Sequence, residues 1–303
     1  MAVLNPPRVL PGLGRAIVNF LIENRSTWNE AGLVDVFKPE GLNESGAAHG
    51  VTNTLSAFRA IGILESDTKG SITVTNSVTE HGNRFERDEF RRLMLSHVLN
   101  LRRDGDPWAV SDEEASTSGA RDLSRALSWF LAQDAVGAPF TWNDNVQKLQ
   151  ADQFGSDQNA EWPFANDTRW NAFTRWATAL GLAAPSVVRS GIVPLPTVAV
   201  ADAVAELPDG QMPIQDFLAA LARKLPILHG GMIRNGLVAR LVVDPDPGVQ
   251  GNALDTSVSQ ALRILEARGR LSTENLADAG GVFLSRSSTN RTTHITLKGG
   301  KKQ

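Results

Sequence analysis

The side chains that do metal or acid–base chemistry are present in this sequence, but not in working arrangements. The five histidines, His49, His81, His97, His229 and His294, include no pair at i, i+3 or i, i+4, the spacing that brings two imidazoles to one metal from one helix face. Carboxylates gather at Asp104, Asp106, Asp112, Glu113 and Glu114. A metal-dependent nuclease holds such groups rigidly, usually with a lysine beside them. Here they lie in a Ser/Gly/Ala-rich stretch with no lysine near, which reads as a solvated acidic loop over 103–122. The chain has no cysteine and no tyrosine, which excludes thiolate zinc sites, disulfides, and cysteine or tyrosine nucleophiles. There is no Walker sequence and no GxSxG elbow, and "GLGR" at 12–15 lacks the strand that must precede a dinucleotide loop. The expectation is a protein that is not an enzyme and takes neither metal nor cofactor.

What remains suits nucleic acid. In "SGAAHGVTNTLSAFRAIG" the helix side away from the apolar stripe offers Thr52, Asn53, Ser56 and Arg59, with His49 near its start. Asparagine reads adenine in the major groove, and small hydroxyl residues contact phosphates. Lys69 lies in the turn of the hairpin that follows. Near the C-terminus, "DTSVSQALRILEARGRLS" offers Ser259, Gln260, Arg263 and Arg270 in the same way. A second hairpin turn adds Arg286 and Arg291, and the tail adds Lys298, Lys301 and Lys302. From 256 to 303 there are 8 basic and 3 acidic residues, a local excess of the kind phosphate contacts need. Double-stranded DNA is the predicted partner.

These residues require particular elements to carry them. Val51, Leu55 and Phe58 recur at i, i+4, i+7 and predict an amphipathic helix, with Gly62 as its C-cap. Two helices precede it: one holds Ile17, Phe20 and Leu21, the other turns Leu33, Val36 and Phe37 inward. "ILES" and "SITVT" then alternate as strands across the turn 67–70. Three helices and a hairpin make a winged helix-turn-helix pattern, in which the last helix enters the major groove. The hairpin also has a structural task, since it covers apolar surface that three short helices cannot bury alone.

The pattern recurs twice. "NDTRWNAFTRWATALGLA" turns Trp170, Phe173, Trp176 and Leu180 inward, ends at Gly181, and leads to a hairpin, "SVV" to "IVPLP", about 189–191. The C-terminal copy turns Val258, Leu262 and Leu265 inward after an N-cap at Asp255 or Thr256, and ends at Gly269. There "GVFLS" is expected to pair with "THITL". The glycines fall at unequal intervals, so these are related units rather than a solenoid.

Length and charge agree with several units. A chain of 303 residues suggests two or three domains. Up to Arg103 it carries 12 basic and 11 acidic residues, from 104 to 208 it carries 6 and 14, and from 209 onward 12 and 8. A polyanion is therefore expected at the C-terminal third and not at the acidic middle. No secretion signal is legible and no apolar run reaches the about 18 residues that span a bilayer. The chain is expected in the cytoplasm, without membrane contact.

The opening "LNPPRVLPGLGRAIVNFLIEN", the central "FTRWATALGLAAP" and the overall length resemble the DpdG proteins of bacterial defence islands. Those accompany systems that modify DNA with 7-deazaguanine derivatives and restrict unmodified DNA. The resemblance covers most of the chain. It implies an accessory subunit of an anti-phage restriction machine, working beside ATPase and nuclease partners, and it supplies no catalytic residues.

The resulting expectation is mainly α with small β-hairpins, arranged as tandem winged helix-turn-helix units. A winged-helix unit spans 1–80, a connecting helix and acidic loop 81–120, a second, acidic unit 121–207, and a third, basic unit 208–303. The expected function is a non-catalytic DNA-binding and scaffold subunit of a defence complex. The alternatives are a protein-interaction subunit of a larger ATPase or nuclease assembly, and a free-standing transcription regulator.

Overall fold

Helix α1 (Pro11–Glu23) begins on a proline, whose missing N–H is one the first turn leaves unbonded in any case. The structure is a computed structural model that describes residues 2–5, 8–24, 27–38, 45–80, 84–115, 119–155, 162–246, 251–276, 280–284 and 291–298. After α1 comes the short strand β1 (Trp28–Asn29), and Asn29 caps α2 (Glu30–Phe37) by accepting from the Gly32 N–H at 2.8 Å. Then follow α3 (Ser45–Ala60), β2 (Leu64–Ser66), β3 (Ser71–Val74) and the single turn α4 (Asn76–Thr79). Helix α5 (Arg87–Val98) opens on a reciprocal bond between Glu86 and Glu89. Within the stretch expected to be a plain acidic loop, α6 (Leu101–Asp104) and α7 (Asp112–Ala115) form single helical turns.

The middle of the chain runs α8 (Arg121–Leu131), a π-helical turn Trp142–Val146, α9 (Gln147–Phe154) and α10 (Asp167–Ala179), the last capped by Asn166. Strands β4 (Ala183–Pro185) and β5 (Ile192–Pro194) and helix α11 (Thr197–Ala205) follow. The last part holds β6 (Gly210–Pro213), α12 (Ile214–Lys224), α13 (Met232–Val238), α14 (Thr256–Ala267), β7 (Leu271–Glu274), β8 (Val282–Phe283), β9 (Arg291–Thr292) and β10 (His294–Leu297). The fold is mainly α with small antiparallel sheets, as the sequence predicts.

Strand pairing repeats three times. The first sheet has the order β1-β3-β2, with Trp28 opposite Ile72. The last has the order β6-β10-β7, with Met212 opposite Ile295. Between them β4 pairs with β5, and Phe140 bridges β5 at Ile192. In each case the segment before the second helix pairs with the returning strand of a later hairpin, through an isoleucine. The hairpin bases repeat as well. The residue after each glycine accepts from the residue after the returning strand: Thr75 N–H to Ile63 O, Leu195 N–H to Leu182 O and Lys298 N–H to Arg270 O, all at 3.1 Å. Gly62, Gly181 and Gly269 have φ of 73°, 74° and 68°, the left-handed conformation that ends a helix without a Cβ clash.

The chain divides into two compact units. The first comprises Met1–Leu123 and Phe164–Leu180. Its core stacks Phe58 on Phe90 and sets it against a tilted Trp176, each centroid 5.9 Å away, and packs Phe164 against Trp170 and Phe173. Its N-terminal segment is tied in by Asp122, which is fully buried and accepts from the Val3 and Leu4 N–H groups and from Arg169. The second comprises Ser124–Pro163 and Gly181–Gln303. There Trp129 Nε1 donates to Gln153 Oε1 at 2.7 Å, and Gln133 and Gln153 bond one another through both amides, so these buried polar side chains satisfy one another. The end of α8 meets the start of α14: Ser257 Oγ donates to Leu131 O at 2.6 Å, and Ala135 N–H donates to Thr256 Oγ1 at 2.8 Å.

Three local expectations are corrected. Val36 is 46% exposed rather than turned inward. "THITL" pairs with β6 and β7, while β8 within "GVFLS" pairs with β9. "SVV" is the tip of the middle hairpin rather than its first strand, which lies earlier at β4.

Candidate nucleic-acid interface

Helix α3 presents Thr52, Asn53 and Ser56 as half-buried side chains opposite the buried stripe Val51, Leu55 and Phe58, and His49 is exposed near its start. Arg59 is on the same side but is already engaged. Its guanidinium donates to Glu30 at 2.8 Å and to Ser66 Oγ at 3.1 Å, linking the helix to α2 and to β2. Lys69 is exposed in the turn between β2 and β3. Asp67 organises that turn by accepting from the Lys69 and Ser71 N–H groups, both at 2.8 Å. The Ser71 bond chiefly holds its carboxyl below the usual carboxylate range, so the tip carries a fixed negative charge beside its lysine.

In the second unit the candidates separate. Ser259 is 0% exposed and donates to Leu254 O at 3.4 Å, so the expectation that it faces outward is corrected. The first turn of α14 is covered as a whole: Thr256, Ser257, Val258 and Ser259 are all buried, and α11 packs along the helix. Gln260 is half-buried one residue further on. Arg263 is half-buried and donates to Leu284 O at 3.0 Å, which ties α14 to the end of β8. Arg270, Arg291 and Lys298 are exposed, and the backbone bond from Lys298 to Arg270 brings two of them to the same hairpin base. Arg286, Lys301 and Lys302 lie outside the described residues.

Elsewhere the ionisable groups make structural contacts. Among the described residues no group of three or more His, Asp or Glu side chains is placed to hold a metal ion. Asp104 of the acidic stretch binds Arg103 through both carboxylate oxygens, at 2.8 and 2.6 Å. Arg103 in turn donates to Ile61 O and to His97 O, capping the end of α3. The side chains of Asp112 and Glu113 lie outside the described ones. Asp255 stands at the N-cap of α14 but does not cap it. Its carboxylate receives Arg234 through Nε and Nη2 and His229 through Nδ1, each at 3.3 Å. That buried group has no sequence-spacing signature, since its members come from two helices and a loop. No helix among the described residues is long and apolar enough to cross a membrane.

These features define a mainly helical protein built on one repeated helix–hairpin plan, with cations at the base of its last hairpin. A family model described as DpdG-like matches residues 1–279. No curated protein and no solved structure matches the chain. The chain belongs to the DpdG-like family, and membership links it to a defence system of the DpdG type.

Proposed function

We propose that the protein is a non-catalytic, DNA-binding scaffold subunit of a DpdG-type anti-phage complex and that it works through tandem winged helices in the cytoplasm. The observation that carries this reading is the first order helix, strand, helix, helix, hairpin (α1, β1, α2, α3, β2–β3), whose strand pairing recurs at Ile192 and at Ile295. In helix-turn-helix proteins such a unit offers its last helix to the major groove. The DNA-facing groups would be Thr52, Asn53 and Ser56 with Lys69 in the first unit, and Arg270, Arg291 and Lys298 in the second. Other subunits would supply hydrolysis and cleavage.

The test is fluorescence anisotropy of a labelled duplex over a salt series. Wild type is compared with Thr52→Glu/Asn53→Glu and with Arg270→Glu/Lys298→Glu. The expected result is a negative slope of log affinity against log salt, with each variant binding about tenfold more weakly. Absence of binding at low salt would sink the DNA reading.

One observation favours a second reading, in which the repeats bind only partner subunits. The first turn of α14, the part of a recognition helix that normally reaches base edges, is buried within its own unit. On that reading neither variant pair alters any duplex affinity.

A further inference from the structure

The first two hairpin tips differ in chemistry. The first is a tight polar turn around Asp67 and Lys69. The middle one carries Val187 and Val188 at its apex, 99% and 88% exposed, followed by the exposed Arg189. Two neighbouring branched apolar side chains held this far into solvent are costly to leave uncovered. They are also held in place. Ser186 Oγ accepts from the Val188 and Arg189 N–H groups at 3.3 and 3.5 Å, and Ser186 N–H donates to Gly191 O at 3.0 Å. Gly191 lies so close to the bridging segment that a Cβ on it would meet Phe140 O at 2.8 Å. The tip is a fixed knob on a short ladder.

The same unit contains a matching recess. An open cleft of about 280 Å³ is lined by Ala138, Phe140, Leu149 and Pro245, with Asp144 in its wall. Phe140 is both a wall of the cleft and the strand partner of the hairpin at Ile192, so knob and recess share one ladder. The apolar surface continues past the cleft: exposed Val136 directly precedes its Gly137, and exposed Val242 and Val243 lead to Pro245. Asp144 is exposed and takes one hydrogen bond from Thr141 Oγ1, which leaves its remaining lone pairs toward solvent. Lys148, the one basic residue of the cleft, is paired with Asp152 at 2.6 Å. The knob does not occupy the cleft of its own chain, because its valines are exposed.

We propose that two copies of this chain associate through these surfaces, the Val187–Val188 tip of each seated in the cleft of the other and Arg189 paired with Asp144 across the contact. The charges are complementary, since the knob brings a cation and the recess a carboxylate. One tip in one cleft is small for a stable interface, but a two-fold axis uses each contact twice. The expected association is weak, with a dissociation constant on the order of 10–100 µM.

Sedimentation equilibrium of the full chain tests this. Wild type should shift from monomer toward dimer as its concentration rises to ~100 µM, close to the expected dissociation constant. Val187→Asp/Val188→Asp and Asp144→Arg should each weaken association by about tenfold or more. The double exchange Asp144→Arg/Arg189→Asp should restore it. All three are exposed changes, and unaltered thermal unfolding would show that they fold. A wild type that stays monomeric across the range overturns the proposal. So does a dimer that the tip and cleft substitutions leave unchanged.

Discussion

Phe58 fills the space that a side chain on residue 14 would need: a Cβ built on Gly14 would lie 2.0 Å from the Phe58 ring. The glycine that sequence motifs set aside as a failed dinucleotide loop is thus the position where α3 lays an aromatic ring on α1. The ring is buried and held by Phe90 and Trp176, each centroid 5.9 Å away. Gly14→Ala should therefore destabilise by about 1–3 kcal/mol, against the about 1 kcal/mol gain that alanine brings to a helix. Gly12→Ala on the same helix meets nothing within 4 Å and should be neutral or stabilising. Urea unfolding of the two variants checks the contrast. Equal effects would show that the close approach is not what residue 14 is for.

Gly62 and Gly269 separate backbone strain from crowding. Both hold left-handed φ, but a Cβ on Gly269 meets open space while one on Gly62 meets Arg103 Nη1 at 2.6 Å. Gly269→Ala should cost about 1–2 kcal/mol, the left-handed penalty alone. Gly62→Ala should cost more, since it also displaces a guanidinium that caps the end of α3. In an Arg103→Ala background the two glycine substitutions should cost nearly the same, which a double-mutant cycle measures.

Arg234 and Asp255 form the buried pair that positions the start of α14. Burial pushes the Asp255 carboxyl up, but hydrogen bonding to His229 and the charge of Arg234 outweigh it and hold it below its ordinary value. Arg234→Met leaves that carboxylate buried without its main partner and should cost about 3–5 kcal/mol at neutral pH. Asp255→Asn in addition should return part of the loss. The wild-type pair stabilises the fold above the ordinary aspartate range, and its contribution disappears as pH falls through the lowered folded value. Denaturant unfolding at pH 7 and at acid pH reads both effects.

His97 gives a pH dependence in a different window. Its Nδ1–H donates to Ile61 O at 3.0 Å. Burial lowers its pKa and nearby Arg103 adds to that, while the Ile61 bond and Asp104 oppose it. The unfolded chain takes up a proton near pH 6.5 and the folded one only at lower pH. Stability from this group is therefore present above pH 6.5 and declines below it until the folded value is passed. Wild type should lose more stability than His97→Gln between pH 7.5 and pH 5.5. Parallel loss in both proteins would remove His97 from the account.

Long-period signals were readable in the sequence. Val51, Leu55 and Phe58 are all buried as one stripe, Ile72 and Val74 alternate inward, and the three glycines all end helices. Short and relational features were not. Two-residue β1 and the single bridge at Phe140 are too brief to show alternation, although they define the repeated sheet. Valines favour strands, so "SVV" looked like one when Ser186 in fact closes a turn beneath it. The polar face of α14 predicts exposure for Ser259, but the side chain is buried and bonded to Leu254 O, in a first turn whose Thr256 and Ser257 bond to the 131–135 segment, long-range contacts that helix periodicity cannot register. For the interface candidates, residue type identified the cations, but only the packing distinguishes Arg59 and Arg263, which are spent on internal bonds, from Arg270 and Lys298.

The backbone bond that closes each hairpin base has a consequence for how this chain can change. Because Ile63–Thr75, Leu182–Leu195 and Arg270–Lys298 are joined in the same way, the two ends of each hairpin are held together whatever the length of the apex between its paired strands. The third enclosed loop is roughly twice as long as the first, and a doubling of loop length costs only about 0.6 kcal/mol in closure entropy. The apices are therefore sockets into which segments of new length and character can be exchanged at little cost to the scaffold.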